Sequence, residues 1–393
     1  MTAPDRHAGC PVCGSDDVRP LVDLDGVPAH VGALWPTREA AVGCPRGDLH
    51  LSWCGRCLYV FNRAYDPAVS DYTEPYDNAL HFSGVFRRYE DGLVEHLVAT
   101  YGLRDADVLE IGCGSGHFLG LLCAAGGNRG LGFDPSHDPA HADPLLAGRA
   151  RVVPEYFSEE HAAHPADIIC CRHVLEHVPD PLAFMRTVRA GIGDRDTPVY
   201  VEVPNGLLAL RRLSVGDLIY EHCSYFLDSS IRVLFALAGF TVTALREDYD
   251  GQFLAVEARP AAGPVEAPAD PAGVARTAAD LAAYPDRVGE RVAGWRSMLD
   301  EASASGGAVA WGAGAKAVGF FNLMGVGDEV DRVVDLNPRK QGRYLPGTGQ
   351  PIVAPEDLVA DPPGSVLIMN PLYAEEIQAT LDGLGVAARV VVV

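Results

Sequence analysis

Between residues 108 and 258 the chain repeats one pattern of apolar and polar positions. A run of five or six mostly apolar residues is followed by a glycine-rich or polar turn. A longer stretch then follows, with polar residues spaced among apolar ones. Short runs of this kind read as strands buried on both faces, and the longer amphipathic stretches read as helices. The predicted strands are Val108–Ile111, Arg129–Phe133, Ala166–Cys171, Pro198–Val203 and Phe253–Ala258. Their alternation with helices predicts an α/β fold, a doubly wound sheet with helices on both faces. The pattern starts again near residue 306, with predicted strands from Val309, over Val330–Asp335 and from Val366. Between the two units, residues 260–275 are rich in Ala, Pro, Gly and acids and read as a linker. A helix with an interrupted apolar face is predicted over 275–303 and is expected to pack between domains. The division that follows is 1–70, 71–260, 261–305 (linker and helix) and 306–393.

The first turn carries the most chemistry. Val108-Leu109-Glu110-Ile111 runs into Gly112-Cys113-Gly114-Ser115-Gly116, and His117-Phe118-Leu119 opens the next apolar stretch. Glycines at such a place let the backbone approach a ligand and open a helix N-terminus toward it. About twenty residues on, Asp134 ends the next strand, where a carboxylate suits the two hydroxyls of a ribose. A nucleoside-containing cofactor is therefore expected. It does not fit a dinucleotide, because the third glycine falls one place early and His117 stands in its position. Glu110 would also face a pyrophosphate, whereas it suits an amino group or a sulfonium. The turn resembles the S-adenosylmethionine (SAM) loop of class I methyltransferases. Glu110, Gly112, Gly114, Gly116, Asp134, Tyr156, Phe157, Arg172 and His173 are the cofactor-binding candidates. The second glycine turn, Gly312-Ala313-Gly314-Ala315-Lys316 with Asp335 after the next strand, lacks the third glycine and so disfavours a dehydrogenase.

Composition narrows the field. A chain of 393 residues implies two or three domains. The formal charge of −22 argues against a nucleic-acid partner, which needs clustered cations. No apolar run reaches membrane-spanning length and Met1–Arg6 shows no signal core, so a cytoplasmic protein is expected. Ten cysteines then point to metal ligands and free thiols rather than disulfides. Cys10-Pro11-Val12-Cys13 and Cys54-Gly55-Arg56-Cys57 form two Cys-x-x-Cys knuckles, the spacing of a four-thiolate zinc site. Four protein ligands leave no open position, so the zinc would be structural.

The three parts together resemble the sugar C-methyltransferase family that acts on nucleotide-linked keto-deoxysugars. The resemblance rests on the knuckles, the Glu110–Gly116 loop, Val203-Pro204, Tyr220-Glu221-His222-Cys223-Ser224-Tyr225-Phe226 and the run from Lys340 to Thr348. It implies SAM, zinc and methylation at a carbon beside a ketone. It places the Glu-His pair by the transferred carbon and Lys-Gln-Gly-Arg in a substrate-side domain. Two departures lie on that side: no proline in the C-terminal glycine turn, and Asn370-Pro371-Leu372-Tyr373 in place of Asn-Trp-Asn.

Carbon becomes a nucleophile only when a neighbouring proton is removed beside a carbonyl, so such chemistry needs a base and an enolate stabiliser. His222 is the first choice of base, with Glu221 orienting it or sharing the proton. Tyr220, Tyr225, Tyr76 and His173 are candidates for the enolate oxygen. Tyr72 and Tyr76, in a polar aromatic segment, are placed to act as a lid. Tyr72, Asn205, Tyr225, Lys316, Lys340, Arg343 and Tyr344 are the substrate-binding candidates for a small-molecule acceptor, anionic or nucleotide-linked. The rival readings are an O- or N-methyltransferase and a non-catalytic zinc scaffold. A monomer or a homodimer is expected.

Overall fold

The computed structural model describes residues 9–69, 76–77, 79–265, 270–304 and 307–393. Three sheets organise them. The first is four-stranded and antiparallel, built from β1 (Val18–Pro28), β2 (Arg46–Cys54), β3 (Val60–Asn62) and, from far along the chain, β9 (Ser224–Tyr225).

The second sheet comprises β4 (Asp107–Ile111), β5 (Arg129–Phe133), β6 (Ala150–Val153), β7 (Ile168–Arg172), β8 (Val199–Pro204), β10 (Phe240–Asp248) and β11 (Phe253–Pro260). Their spatial order is β10-β11-β8-β7-β4-β5-β6. β4 to β8 run parallel, and β11 is antiparallel to both its neighbours. From β4 the chain winds outward to β5 and β6, then returns across β4 to β7. That reversal opens a crevice beyond the carboxyl end of β4, the place where such sheets take ligands. One apolar cluster, with Leu109, Ile169 and Val201, covers one face; a second, with Val108, Ile168 and Tyr200, covers the other. These residues alternate along each strand, as burial of both faces requires.

The third sheet is wholly parallel: β12 (Ala308–Trp311), β13 (Arg332–Val334), β14 (Ile352–Val353), β15 (Ser365–Ile368) and β16 (Arg389–Val392), in the order β14-β13-β12-β15-β16. A helix over Pro271–Ala304 starts four residues before the expected position. It buries Leu281 and Tyr284 in the cluster of the first sheet, and Trp295 and Leu299 in that of the third. Two apolar patches facing different neighbours explain why its stripe looked interrupted.

Among the described residues, no helix is long and apolar enough to cross a membrane.

Candidate active site

The glycine turn after β4 adopts the conformation its composition favours. Gly112, Gly114 and Gly116 have φ of +74°, +54° and +85°, where side chains are strained. A Cβ on Gly112 would lie 2.0 Å from the Val174 side chain, so the missing side chain also seats the loop after β7. The helix His117–Gly126 then begins without a side-chain cap, leaving its first amides for a ligand. Glu110 is 3% exposed and its Oε2 has no hydrogen-bond partner. Burial pushes its carboxyl up to about 8, against the pull of Arg172. A buried acceptor without a donor is the mark of a site built for a cationic ligand end. Asp134, at the end of β5, accepts from Gly114 N at 2.7 Å through Oδ2 and from Ser136 N and Oγ through Oδ1. It stands over the turn at the ribose position. Phe157 packs on Phe133 at 5.6 Å, whereas Tyr156 stands 70% exposed.

Beside the turn lies a buried network that sequence reasoning saw only in part. Arg172 donates to Glu202 Oε1 at 3.0 Å and Glu90 Oε1 at 3.1 Å, with its guanidinium 4.1 Å from the Phe118 ring centre. Tyr89 and Tyr200 donate to the other oxygen of Glu202. His173, at φ +53°, places Nε2 3.0 Å from Glu202 and Nδ1 3.5 Å from Glu176. Burial opposes charge on His173, but the two carboxylates outweigh it and raise its pKa to about 9. Burial would likewise raise Glu202, yet Arg172 and His173 hold it well below the usual carboxylate range. Glu202 had a readable signal, a lone acid within the apolar strand Val199–Pro204. Glu90 and Tyr89 lie on a helix and had none.

The Tyr220–Phe226 segment crosses the same edge. Glu221 is 2% exposed, accepting from the Tyr76 hydroxyl at 3.2 Å and facing His30 Nδ1 at 3.4 Å. Nothing in the sequence singled out His30. His177 donates through Nδ1 to the Glu221 carbonyl at 2.9 Å. Its ring meets that of His222 edge-on at 4.9 Å, and one ligand-type atom from each of Glu176, His177 and His222 lies within 4.8 Å of the others. Enclosure, then His177, pushes His222 down to about 3, so its imidazole is neutral at pH 7 and its protonated form is disfavoured. The structure therefore brings together Tyr76, His173, Glu221 and His222. The loop holding Val174 and His177 joins this group to the glycine turn.

Other candidates have internal partners. The Tyr220 hydroxyl is 2.8 Å from Asp66 N and 3.2 Å from Asp66 O. The Tyr225 hydroxyl bonds the backbone of Ile219, and its ring lies 6.0 Å from that of His222. Asn205 caps Leu208 N and donates to Gly251 O. Lys316 pairs with Asp217 at 2.5 Å, and buried Lys340 donates to Ala313 O at 3.0 Å. Tyr344 bridges to Trp35 and Pro351. Arg343 makes no ion pair among the described residues. Tyr72 lies outside them.

At the far end of β2, Cys10 and Cys57 bring their sulfurs to 3.6 Å, as do Cys13 and Cys54. All four sulfurs lie within 4.8 Å of one another. A tetrahedron with zinc–sulfur bonds of about 2.3 Å has edges of about 3.8 Å, so the donor set and its spacing fit zinc.

Comparison with known proteins agrees with this geometry. Residues 83–245 match the family described as a methyltransferase domain, and residues 270–391 match the C-methyltransferase C-terminal domain. Over 390 residues the chain is 29% identical to the C-methyltransferase NovU of Streptomyces niveus, covering 94% of this chain and 90% of that one. A methyltransferase domain followed by a C-methyltransferase C-terminal domain, with similarity to a C-methyltransferase over nearly the whole length, is consistent with the three-domain C-methyltransferase family. The protein is thus a SAM-dependent methyltransferase, and Glu110, the glycine turn and Asp134 are the residues that would hold SAM. A ubiquinone biosynthesis O-methyltransferase of Pseudoalteromonas translucida is 36% identical over 95 residues, which cover 23% of this chain and 40% of that protein. Among solved structures, the magnesium protoporphyrin IX methyltransferase of Synechocystis PCC 6803 overlaps 45% of this chain and 84% of its own, at 20% identity and a TM-score of 0.36.

Proposed function

We propose that this enzyme methylates a carbon beside a ketone in a nucleotide-linked or related sugar, with His222 as the base. The observation that carries this is the grouping of neutral His222 with His177, Glu221 and Tyr76 at the crevice of the glycine turn. SAM, when bound, supplies an electrophilic methyl group. His222 takes the proton from the carbon beside the ketone, and that carbon's electron pair forms the new carbon–carbon bond. Tyr76, once its hydroxyl turns from Glu221 to the acceptor, is the donor at this edge for the enolate oxygen, and the His173 imidazolium beside it adds positive charge. Glu221 fixes Tyr76 and the backbone of the base. Arg343 is the cation left for an anionic end of the acceptor. The four cysteines hold a structural zinc in a reducing cytoplasm.

The test begins with calorimetric titration of S-adenosylhomocysteine and, separately, NADH; only the first is expected to bind. Turnover is then followed with nucleotide-linked 3- and 4-keto-deoxysugars in deuterated water. The expected result is solvent deuterium at the carbon beside the ketone and a methyl group on that carbon. His222→Ala keeps its affinity for S-adenosylhomocysteine and loses turnover by about a hundredfold or more. Near-normal turnover in that variant would remove His222 as base. Methylation at oxygen without exchange would favour the O-methyltransferase reading.

A further inference from the structure

We propose that Asp77 is a positioning residue, through which the C-terminal unit sets the Tyr76 hydroxyl against Glu221. This rests on the role given to Tyr76 above and adds a task for the third sheet.

Tyr76 and Asp77 run extended along the N-terminal unit. Tyr76 forms an antiparallel bridge with Ala33, and Asp77 N donates to Gly32 O at 2.9 Å. Successive side chains of an extended strip point to opposite sides. Tyr76 therefore reaches Glu221 at 3.2 Å, while Asp77 reaches the C-terminal unit. The Tyr76 ring lies flat on Gly32, where a Cβ would come within 2.6 Å of it.

The Asp77 carboxylate is 7% exposed and fully engaged. Oδ1 accepts from Asn337 Nδ2 and from Ala79 N, each at 2.9 Å, and Oδ2 pairs with Arg339 at 2.9 Å. Asn337 cannot swing to suit, because its N–H donates to Asp335 at 2.8 Å and its Oδ1 accepts from Arg339 N at 3.0 Å. Asp335 in turn accepts from Ala313 N in the C-terminal glycine turn at 2.8 Å. In a nucleotide-binding sheet, a carboxylate at the end of the second strand would take a ribose. Here it steadies its own glycine turn, and the loop after it grips Asp77. A bidentate clamp of one amide and one guanidinium fixes both position and orientation of a carboxylate. The neighbouring residue inherits that order.

The test uses the zinc-loaded full chain with bound S-adenosylhomocysteine, labelled with 3-fluorotyrosine. The chain has 14 tyrosines, and the Tyr76 fluorine signal is assigned by its loss in Tyr76→Phe. Asp77→Ala and Arg339→Met should shift or broaden that signal and leave those of buried Tyr59 and Tyr200 in place. Arg339→Lys should restore it. An unmoved Tyr76 signal in Arg339→Met and Asp77→Ala overturns the proposal. Arg339→Met removes one partner only, so the test survives if Asp77→Ala does not fold. The signal needs no methyl acceptor, so its failure is distinct from failure to find one. With an acceptor, Arg339→Met should lower turnover in the otherwise unchanged chain and cost nothing further when added to Tyr76→Phe. Losses that multiply in the double variant overturn the proposal.

Discussion

At the scale of residues, three titrating groups at the crevice depart from their ordinary values in ways that oppose one another. His222, held at about 3, is neutral at any pH near 7. An unfolded imidazole titrates near 6.5, so the folded chain binds fewer protons between 3 and 6.5. Its cost to stability is absent above 6.5 and grows as the pH falls. His173, raised to about 9, contributes stability that is whole below 6.5 and lost as the pH rises through 9. The acid limb of kcat/KM is therefore expected below pH 6.5, and a limb centred at 6.5 would point to another base. Glu110, raised to about 8 by burial despite Arg172, stays mostly protonated at pH 7 while no ligand cation faces it. Binding a ligand with an ammonium group should release close to one proton at pH 7. Calorimetry with S-adenosylhomocysteine in two buffers of different ionisation enthalpy would show it. Glu110→Gln should abolish the release, and no release from the unsubstituted chain would mean that Glu110 does not meet the amino group.

At the scale of elements, one contact joins the C-terminal unit to the core by backbone alone. The helix Ala315–Met324 crosses residues 215–217 where Gly216 faces the backbone of Lys316, and a Cβ there would sit 2.4 Å from the Lys316 carbonyl oxygen. Gly319 answers it, with its own missing Cβ 2.9 Å from Gly216 O. Neither side has a flexible side chain to move. Gly216→Ala should destabilise by about 1–3 kcal/mol, as overpacking does, measured by urea unfolding. An unchanged midpoint would show that the crossing relaxes freely. The elements also show what the sequence could and could not reveal. The four strands that patterning missed in the second and third sheets, β6, β10, β14 and β16, are the four at the sheet edges. Central strands are buried on both faces and read as apolar runs; at the edges β10 carries the polar residues of Thr241–Asp248, while β6, β14 and β16 are only two to four residues long. The cofactor side of the site was legible because Glu110, the glycines and Asp134 fall within 25 residues of sequence. The acceptor side was not, because Glu221 meets Tyr76 across 145 residues and His30 across 191.

At the scale of the whole molecule, the cysteine cluster is part of the catalytic core's own packing. Cys10, Cys54 and Cys57 share one apolar cluster with Phe226, Ile231 and Phe235 and with the strands of the second sheet. Loss of a metal held there would loosen a surface on which the segment around Phe226 rests. Cys54→Ser should release zinc and lower the Tm by roughly 5–10 °C, read by calorimetry beside metal analysis. A zinc-free variant with an unchanged Tm would refute a structural zinc.

The first sheet is completed from a distance. Tyr59 and Ser224, hydrogen-bonded across its last pair of strands, are 165 positions apart. During synthesis at about 5–20 residues per second, β3 leaves the ribosome with an open edge and waits on the order of ten seconds for β9. The closing strand begins two residues after His222, so the act that seals the N-terminal sheet is the same act that brings His222 to the crevice.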